Sequence, residues 1–320
     1  MKFLLPQGIG DSVWALHKIQ SVSNHLGNGD GIFVYLNCVD LNSPIQRRAL
    51  DFVKRFKFVN DADMLVTHIH DYSNYHDEEG HYIYIPDGWR TIHNGENVFA
   101  LMPNGPLERG VRLEDWLPEY SVNWDAAKEF SFTNEELDWA DALYHRIGPY
   151  CTFYLGPMDG NLVSGHNRGM IWTPQDWLAL GQFCQNKLGL RVVVLGADYD
   201  TSYYDSMVLP IFGRYLQPSW INLIGETEIG ATFAIVKRSR FTISYQSGIG
   251  IFSSYLGVPT GIFWREKGNS INSAVYLSFE EEMASAWTRP DMLSSGKHLP
   301  LIYGRHNVEY ICNEIVKRGW

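Results

Sequence analysis

The sequence contains two glycine turns that each follow a short apolar strand and precede a helix. This feature restricts the possible folds of the chain more than any other. The segment 221–264 contains both turns and reads INLIGETEIGATFAIVKRSRFTISYQSGIGIFSSYLGVPTGIFW. Its pattern predicts three strands separated by two helices, with one turn at Gly225 and Glu226 and the other at residues 246–250. This alternation indicates a parallel sheet with helices on its faces. A glycine turn that opens a helix also points unpaired N–H groups at one spot, which favours phosphate.

The rest of the chain repeats the same alternation. Predicted strands cover residues 2–5, 32–36, 64–70, 151–155 and 190–195, and predicted helices cover residues 12–25, 44–56, 134–146, 174–187 and 308–316. The segment 71–124 breaks the rhythm, because Tyr, His, Trp, Gly and Pro are frequent there and predict long loops. We therefore expect two doubly wound units, in which ligands bind at the carboxyl ends of the strands.

Composition limits the class of protein. A chain of 320 residues is too long for one typical core and fits two, and 45% hydrophobic with 19% charged residues is typical of a globular protein. The net charge of −10 argues against extended duplex-DNA binding, which needs a basic face. The four cysteines form no Cys-x-x-Cys pair, which favours a reduced, cytoplasmic setting. No apolar run approaches the roughly 20 residues of a transmembrane helix.

A further glycine turn follows the first predicted strand, where Gly8, Gly10 and Asp11 precede a helix. A dinucleotide-binding fingerprint would place a third glycine where Val13 stands, which argues against a nicotinamide-dependent enzyme. Asp11 comes at the carboxyl end of the strand, where two roles are open to it. It could act as a general base on a bound substrate, or it could cap the helix, since Asp is a favoured N-cap residue.

The order and spacing of these motifs resemble the heptosyltransferase-like glycosyltransferases of family 9, over residues 154–264 and the first strand, turn and helix. The resemblance implies an α/β protein of the GT-B fold, with two doubly wound Rossmann-like domains that face a central cleft. It implies an acceptor-side domain 1–148, a nucleotide-sugar domain 149–306, and a C-terminal helix 307–320 that crosses back to the first domain. It also implies inverting transfer from a nucleotide diphosphate sugar, without a metal or other cofactor, with Asp11 as the catalytic base.

The resemblance extends to the donor site, with substitutions. The family's Asp-Ser/Thr-Gly motif corresponds to Gln246, Ser247 and Gly248, so the glycine turn is kept and the carboxylate is lost. A later histidine of the family corresponds to Ile251, and Arg168 stands two residues before the place of a family lysine. The residues that the resemblance implies for donor binding are Gly8, Gly10, Gly156, Arg168, Trp172, Gly225, Glu226, Gln246, Ser247, Gly248 and Gly250.

Two of these residues keep alternative roles. Glu226 could accept hydrogen bonds from both ribose hydroxyls, or it could cap the following helix together with Thr227. Arg168 could grip the diphosphate leaving group bidentately, or it could be a solvated loop residue.

Histidines and aromatic residues are concentrated between residues 68 and 93. His68 and His70 would share one face of a strand, yet no metal-binding framework accompanies them, so we expect no metal. The resemblance implies that this region recognises the acceptor, and the expected acceptor-side residues are His68, His70, Tyr84, Trp89 and Arg90. The aromatic side chains could instead form a small satellite core.

The acceptor implied by the resemblance is a hydroxyl of a lipopolysaccharide-like glycan. A viral-type transfer to a modified DNA base is an alternative within the same chemistry. A third reading is a degenerate GT-B protein that binds a sugar nucleotide without transferring the sugar. This reading rests on Gln246, Met170 and Ile251, which replace charged residues of the family.

Overall fold

The structure is a computed structural model. It describes residues 1–5, 8–26, 31–38, 40–66, 88–91, 97–100, 126–156, 172–197, 220–266, 278–279, 290–302 and 305–320. The chain divides into two compact units, of which the first contains Met1–Ser131 and Lys267–Arg289, and the second contains Phe132–Glu266 and Pro290–Trp320. The division falls near residue 131, whereas the sequence suggests one after residue 148.

The first unit is built on a mostly parallel sheet. Its elements are β1 (Lys2–Leu5), α1 (Ile9–Leu26), β2 (Phe33–Cys38), α2 (Pro44–Val53), β3 (Asp61–Val66), β4 (Gly88–Thr91) and β5 (Asn97–Ala100). The strand order is β3-β2-β1-β5-β4, in which β1, β2, β3 and β5 run parallel and β4 runs antiparallel to β5. Strands β2 and β3 lie on one side of β1, and β5 lies on its other side. The carboxyl end of β1 is therefore a topological switch point, where such sheets bind ligands.

Apolar strand residues and an aromatic cluster form the core of the first unit. Residues 3–5 of β1 are fully buried. The ring centroid of Phe52 on α2 lies 5.2 Å from that of Phe56 and 5.4 Å from that of Phe130. Phe56 and Phe130 also form a backbone bridge. These contacts hold the end of α2 against the short 3-10 turn Ala126–Glu129.

The second unit is a doubly wound parallel sheet. Its elements are α3 (Asn134–Ile147), β6 (Tyr150–Tyr154), α4 (Pro174–Leu188), β7 (Arg191–Leu195), β8 (Trp220–Asn222), α5 (Ile229–Arg238), β9 (Thr242–Tyr245), α6 (Gly248–Tyr255), β10 (Thr260–Glu266), α7 (Pro290–Ser294), β12 (His298–Ile302) and α8 (Val308–Arg318). The two-residue β11 (Ser278–Phe279), which lies between β10 and α7 in the chain, is part of the same sheet, beside β10. Parallel pairs give the strand order β8-β7-β6-β9-β10-β12. This is the 3-2-1-4-5-6 order of dinucleotide-binding sheets, with its switch point between β6 and β9.

Helix α3 packs within the second unit, which explains why the division of the chain precedes it. It contacts α5, and its Ala140 and Leu143 are buried. The guanidinium of Arg238 on α5 lies 2.9 Å from the carboxylate of Asp141 on α3. The amphipathic pattern predicts this helix but does not indicate which of two sheets its apolar face will cover.

The C-terminal helix α8 completes the core of the second unit. Asn307 caps its first turn, and Ile311, Cys312 and Ile315 are buried in the core cluster that also contains α4 residues. The helix itself is predicted from the sequence. The resemblance implies that residues 307–320 cross back to the first domain, but the buried face of α8 packs on α4 in its own unit.

His298 on β12 gives the second unit a pH-dependent stability. Complete burial, reinforced by the nearby Arg318 cation, lowers the pKa of His298 from 6.5 to about 3. The unfolded chain binds a proton below pH 6.5 that the folded chain does not bind, so stability falls as the pH falls from 6.5 toward 3. We expect His298 alone to lower the free energy of unfolding by about 2 kcal/mol between pH 7 and pH 5.

Urea denaturation of the wild type and of His298→Gln at pH 7, 6 and 5 measures this contribution. The variant should lose less stability on acidification than the wild type does. A matched control is His145→Gln, because His145 is exposed on α3. An equal loss of stability in the wild type and in His298→Gln would show that His298 does not carry the effect.

Candidate active site

The carboxyl ends of β6 and β9 lie side by side at the switch point of the second unit. The register pairs Tyr154 with Ser244, so the chain leaves β6 toward Gly156 and leaves β9 toward Gln246 at the same edge of the sheet. Gly156 is buried, and the side chain of Gln246 is 5% exposed. The fold thus brings together two predicted donor-binding residues that are far apart in the sequence.

The N-terminus of α6 lies at this edge. Ser247 is the N-cap residue, and its Oγ accepts a hydrogen bond from the N–H of Gly250 at 3.1 Å. The first N–H groups of a helix have no intrahelical partner, so those of Gly248 and Ile249 need an acceptor from outside the helix, which a ligand can supply. The first turn of α6 contains no acidic residue, so the helix dipole there acts unopposed by a local carboxylate. The arrangement suits an anion.

Gly250 allows the close packing of α6 on β9. A Cβ at this position would lie 2.8 Å from Ser244 Oγ and 3.0 Å from Ser244 Cβ, so only glycine lets α6 approach β9 this closely. Its N–H is already bound by Ser247. The sequence predicts Gly250 as a donor-binding residue, and the structure gives it the role of the glycine that seats the helix on the sheet.

The turn after β8 lies at the same edge of the sheet. The N–H of Leu223 donates to Val194 O at 2.9 Å, and the N–H of Gly225 donates to Gly196 O at 3.1 Å. These two bonds seat the turn against the end of β7. Gly225 has a φ of +73°, in the left-handed region that favours glycine.

Glu226 does not cap the helix that follows. The N-cap residue of α5 is Glu228, while Thr227 is buried with its hydroxyl 2.8 Å from that of Thr232. The alternative in which Glu226 shares the capping with Thr227 is therefore not what the structure shows. The side chain of Glu226 is exposed at the edge of the sheet, where a carboxylate can accept hydrogen bonds from the hydroxyls of a ligand.

Trp172 belongs to the core rather than to a ligand-facing surface. Its ring is 8% exposed and stands edge-on to Trp177 at 5.2 Å and to Phe263 at 4.9 Å between centroids. Its Nε1 donates to His306 O at 3.2 Å. The apolar face of the sheet needs a large side chain at the start of α4, and Trp172 fills that place. The structure thus gives Trp172 a role in the core, and a contact between Trp172 and the donor stays a prediction.

The first glycine turn lies at the switch point of the first unit. Helix α1 begins at Ile9, and the N–H of Ser12 donates to Gly8 O at 2.8 Å. Asp11 is therefore the third residue of α1 and not the residue that precedes the helix, and its side chain lies outside the described residues. Gly8 is half-buried and Gly10 is buried in this first turn.

Several predicted residues cannot be placed. Arg168, His68, His70 and Tyr84 lie outside the described residues. Trp89 and Arg90 lie on β4, whose side chains are also outside the description. Among the described residues, no group of three or more His, Cys, Asp or Glu side chains is arranged to hold a metal ion. No helix in that part of the chain is long and apolar enough to cross a membrane.

Sequence reasoning missed a buried network of hydroxyls beneath the site. Thr152 Oγ1 lies 2.7 Å from Thr242 Oγ1, and Ser253 Oγ lies 2.9 Å from both Thr242 Oγ1 and Thr260 Oγ1. Ser244 Oγ lies 2.9 Å from the capping hydroxyl of Ser247. The network ties α6 to β6, β9 and β10. The sequence feature that could have predicted this network is the alternation Thr-Ile-Ser-Tyr in β9, which puts Thr242 and Ser244 on one face of the strand.

The chain is similar to known proteins in its fold, and not detectably in its sequence. No protein-family model matches the chain, and no curated protein matches it significantly. Among solved structures, the Escherichia coli ADP-heptose lipopolysaccharide heptosyltransferase II is similar over 99% of this chain and 98% of its own, with a TM-score of 0.56 at 12% identity. A family 9 glycosyl transferase from Veillonella parvula is similar over 99% and 95%, with a TM-score of 0.56 at 11% identity. The Escherichia coli heptosyltransferase WaaC with ADP is similar over 99% and 100%, with a TM-score of 0.52 at 9% identity.

These similarities confirm the predicted fold class. At identities of 9 to 12% they extend to the fold alone, so the chemistry has to be argued from the residues of the site. The chain has the α/β, GT-B fold of these glycosyltransferases.

Proposed function

We propose that the chain is a glycosyltransferase that moves a sugar from a nucleotide diphosphate sugar to an acceptor hydroxyl. The observation that carries the proposal is the N-terminus of α6, where the N–H groups of Gly248 and Ile249 stand at the switch point of a doubly wound sheet. Such positions bind phosphate groups in nucleotide-binding α/β proteins. Two of the similar structures are heptosyltransferases, and one of them was determined with ADP, which supports a nucleotide-linked donor.

The proposed donor lies along the carboxyl edge of the second sheet. The nucleoside is assigned to the turn after β8, where Glu226 accepts hydrogen bonds from the ribose hydroxyls. The diphosphate is assigned to α6 and to the buried Gly156 at the end of β6. Arg168 would add a cation to the leaving diphosphate, because a guanidinium binds phosphate oxygens bidentately. Gly8 and Gly10 are assigned to the first turn of α1, which they keep compact.

The proposed reaction is a single displacement with inversion. Asp11 accepts the proton of the acceptor hydroxyl as that oxygen attacks the anomeric carbon. The bond from the anomeric carbon to the diphosphate oxygen breaks, and the nucleoside diphosphate leaves with the electron pair. The charge that develops on the diphosphate is stabilised by the N–H groups and dipole of α6 and by Arg168, so no metal ion is required in the proposal.

The proposed acceptor is a lipopolysaccharide-like glycan, recognised by the first unit through His68, His70, Tyr84, Trp89 and Arg90. The support is the similarity to a lipopolysaccharide heptosyltransferase. A modified DNA base remains the alternative acceptor, and the net charge of −10 weighs against an extended duplex-DNA interface. The cytoplasmic setting inferred from the cysteines stays a prediction.

A second candidate is a binding protein that holds a sugar nucleotide without transferring its sugar. It is favoured by Ile251, which stands where the family has a histidine and is 3% exposed within the core. The side chain at that position is therefore a buried apolar group that offers no hydrogen bond to a ligand. Gln246, which stands where the family has a carboxylate, also favours a binding protein.

A panel of ADP-, UDP- and GDP-linked sugars, with and without lipopolysaccharide extract, separates the two candidates. We expect at least one sugar nucleotide to release its nucleoside diphosphate in an acceptor-dependent manner, at a rate that EDTA leaves unchanged. Binding without release at any acceptor concentration would favour the binding protein. Neither binding nor release with any donor would remove the donor assignment itself.

A further inference from the structure

Gln246 has a buried amide nitrogen at the edge of the candidate site. The residue is 5% exposed, and among the described residues its Nε2 has no hydrogen-bond partner and is sealed from solvent. It is the first residue beyond β9, beside the switch point. A buried amide nitrogen without an acceptor destabilises the folded state, so a bound ligand that supplies an acceptor would stabilise this site.

The groups around Gln246 are hydrogen-bond donors. Ser247 caps α6 immediately after it, and the N–H groups of Gly248 and Ile249 follow without intrahelical partners. The first turn of α6 carries no acidic residue. Three donors and the positive end of a helix therefore occur within residues 246–249, and a ligand that suits such a group is an anionic oxygen.

The position of the nucleoside end indicates which oxygen this is. The turn after β8, which contains Gly225 and Glu226, is three strands away from β9, at about 4.8 Å per strand, or about 14 Å in total. A ligand whose nucleoside lies at that turn brings its phosphates toward α6, with the phosphate farthest from the nucleoside closest to Gln246.

We propose that Gln246 Nε2 donates to a phosphoryl oxygen of the sugar-linked phosphate of the donor. This inference rests on the proposed function and assigns a role to a residue at which the chain departs from the family it resembles. A carboxylate at this position would accept a hydrogen bond from a sugar hydroxyl, whereas an amide nitrogen donates to phosphate. The site then recognises the second phosphate of the nucleotide through Gln246.

The test uses Gln246→Met, which keeps the length of the side chain and removes both donors. Titrations with ADP, UDP and GDP should show a Kd raised about tenfold for the diphosphate that the wild type binds best. The Kd of the matching monophosphate, AMP, UMP or GMP, should stay unchanged. The Tm of the free protein should stay the same or rise, because the variant no longer buries an unpaired amide.

Gln185→Met is the matched control. Gln185 also has a buried Nε2 that finds no partner in the described part of the chain, and it lies near the end of α4, at the opposite edge of the sheet. This variant should leave both Kd values unchanged. Gln246→Glu is a second variant, in which a carboxylate beside the phosphate should weaken diphosphate binding at least as much as Gln246→Met does.

Three results would overturn the assignment. The first is an unchanged Kd for the diphosphate in both Gln246 variants. The second is an equal loss of affinity for the diphosphate and the monophosphate. The third is a loss of affinity for the complete sugar nucleotide alone, which would assign Gln246 to the sugar. Each of these leaves the proposed function intact, since the wild type still binds. A wild type that binds none of the nucleotides would remove the proposed function and this inference together.

Discussion

Replacement of Asp11 by asparagine is expected to lower turnover by roughly 100-fold or more, the scale of a lost general base. The amide cannot accept the proton of the acceptor hydroxyl as a carboxylate does. Asp11 is the third residue of α1, inside the helix and beyond its cap, so the substitution removes no N-cap. The Kd of the donor nucleotide should stay close to that of the wild type, because the nucleotide is assigned to the second unit.

The measurement is single-turnover transfer with the donor identified in the panel, together with the Tm of the variant. Asp11→Glu is the companion variant, since it keeps the base and displaces it by one methylene, and it should retain more activity than Asp11→Asn. A variant that unfolds at lower temperature while its folded fraction keeps normal turnover would identify Asp11 as structural and refute the mechanism.

Replacement of Gly181 by alanine is expected to lower the free energy of unfolding by about 3 kcal/mol, the upper part of the range for overpacked cores. A Cβ at this position would lie 2.0 Å from Cζ2 and 2.6 Å from Cε2 of Trp220. The fused ring cannot move aside easily, because it is buried and stands edge-on to Phe153 at 5.7 Å. The clash outweighs the gain of about 1 kcal/mol that alanine normally brings to a helix interior.

Urea denaturation and donor titration test this prediction together. Trp220 begins β8, which leads into the turn at Gly225 and Glu226, so the variant should also bind the donor more weakly. Adding Trp220→Leu removes the clashing ring. The double variant should then be more stable than the sum of the two single losses predicts. Additive losses, or a Gly181→Ala protein as stable as the wild type, would show that this contact does not limit the packing of α4.

Local patterns predicted the segment that carries the candidate site. A β-branched and aromatic strand, a Ser-Gly turn and an apolar helix locate β9, its turn and α6 almost to the residue, because strand period, capping and glycine conformation are local properties. The same reasoning located the turn at Gly225. The alternation of strands and helices predicts parallel sheets. The strand order that brings Gly156 beside Gln246 was not predicted and is seen only in the structure.

Some residue roles and helix positions depend on tertiary packing and could not be predicted from the sequence. Trp172 and Gly250 stand beside ligand-binding motifs, yet one fills the core and the other lets two elements touch, and neither role is visible in spacing alone. Helix α3 has an apolar face that either sheet could cover. β12 escaped prediction because Pro300 interrupts its pattern. A proline is tolerated on a strand that pairs on one side only, and β12 pairs with β10 among the described strands.

Hydrogen–deuterium exchange with saturating ADP, UDP or GDP tests the central claim most directly, namely that a nucleotide diphosphate binds at the carboxyl edge of the second sheet. The N–H groups of Gly248 and Ile249 have no intrahelical partner, so they should exchange fast in the free protein and slowly once phosphate binds. The peptide that contains Gly225 and Glu226 should be protected as well. Exchange at residues 246–250 that no nucleotide alters, or protection confined to the first unit, would contradict the claim.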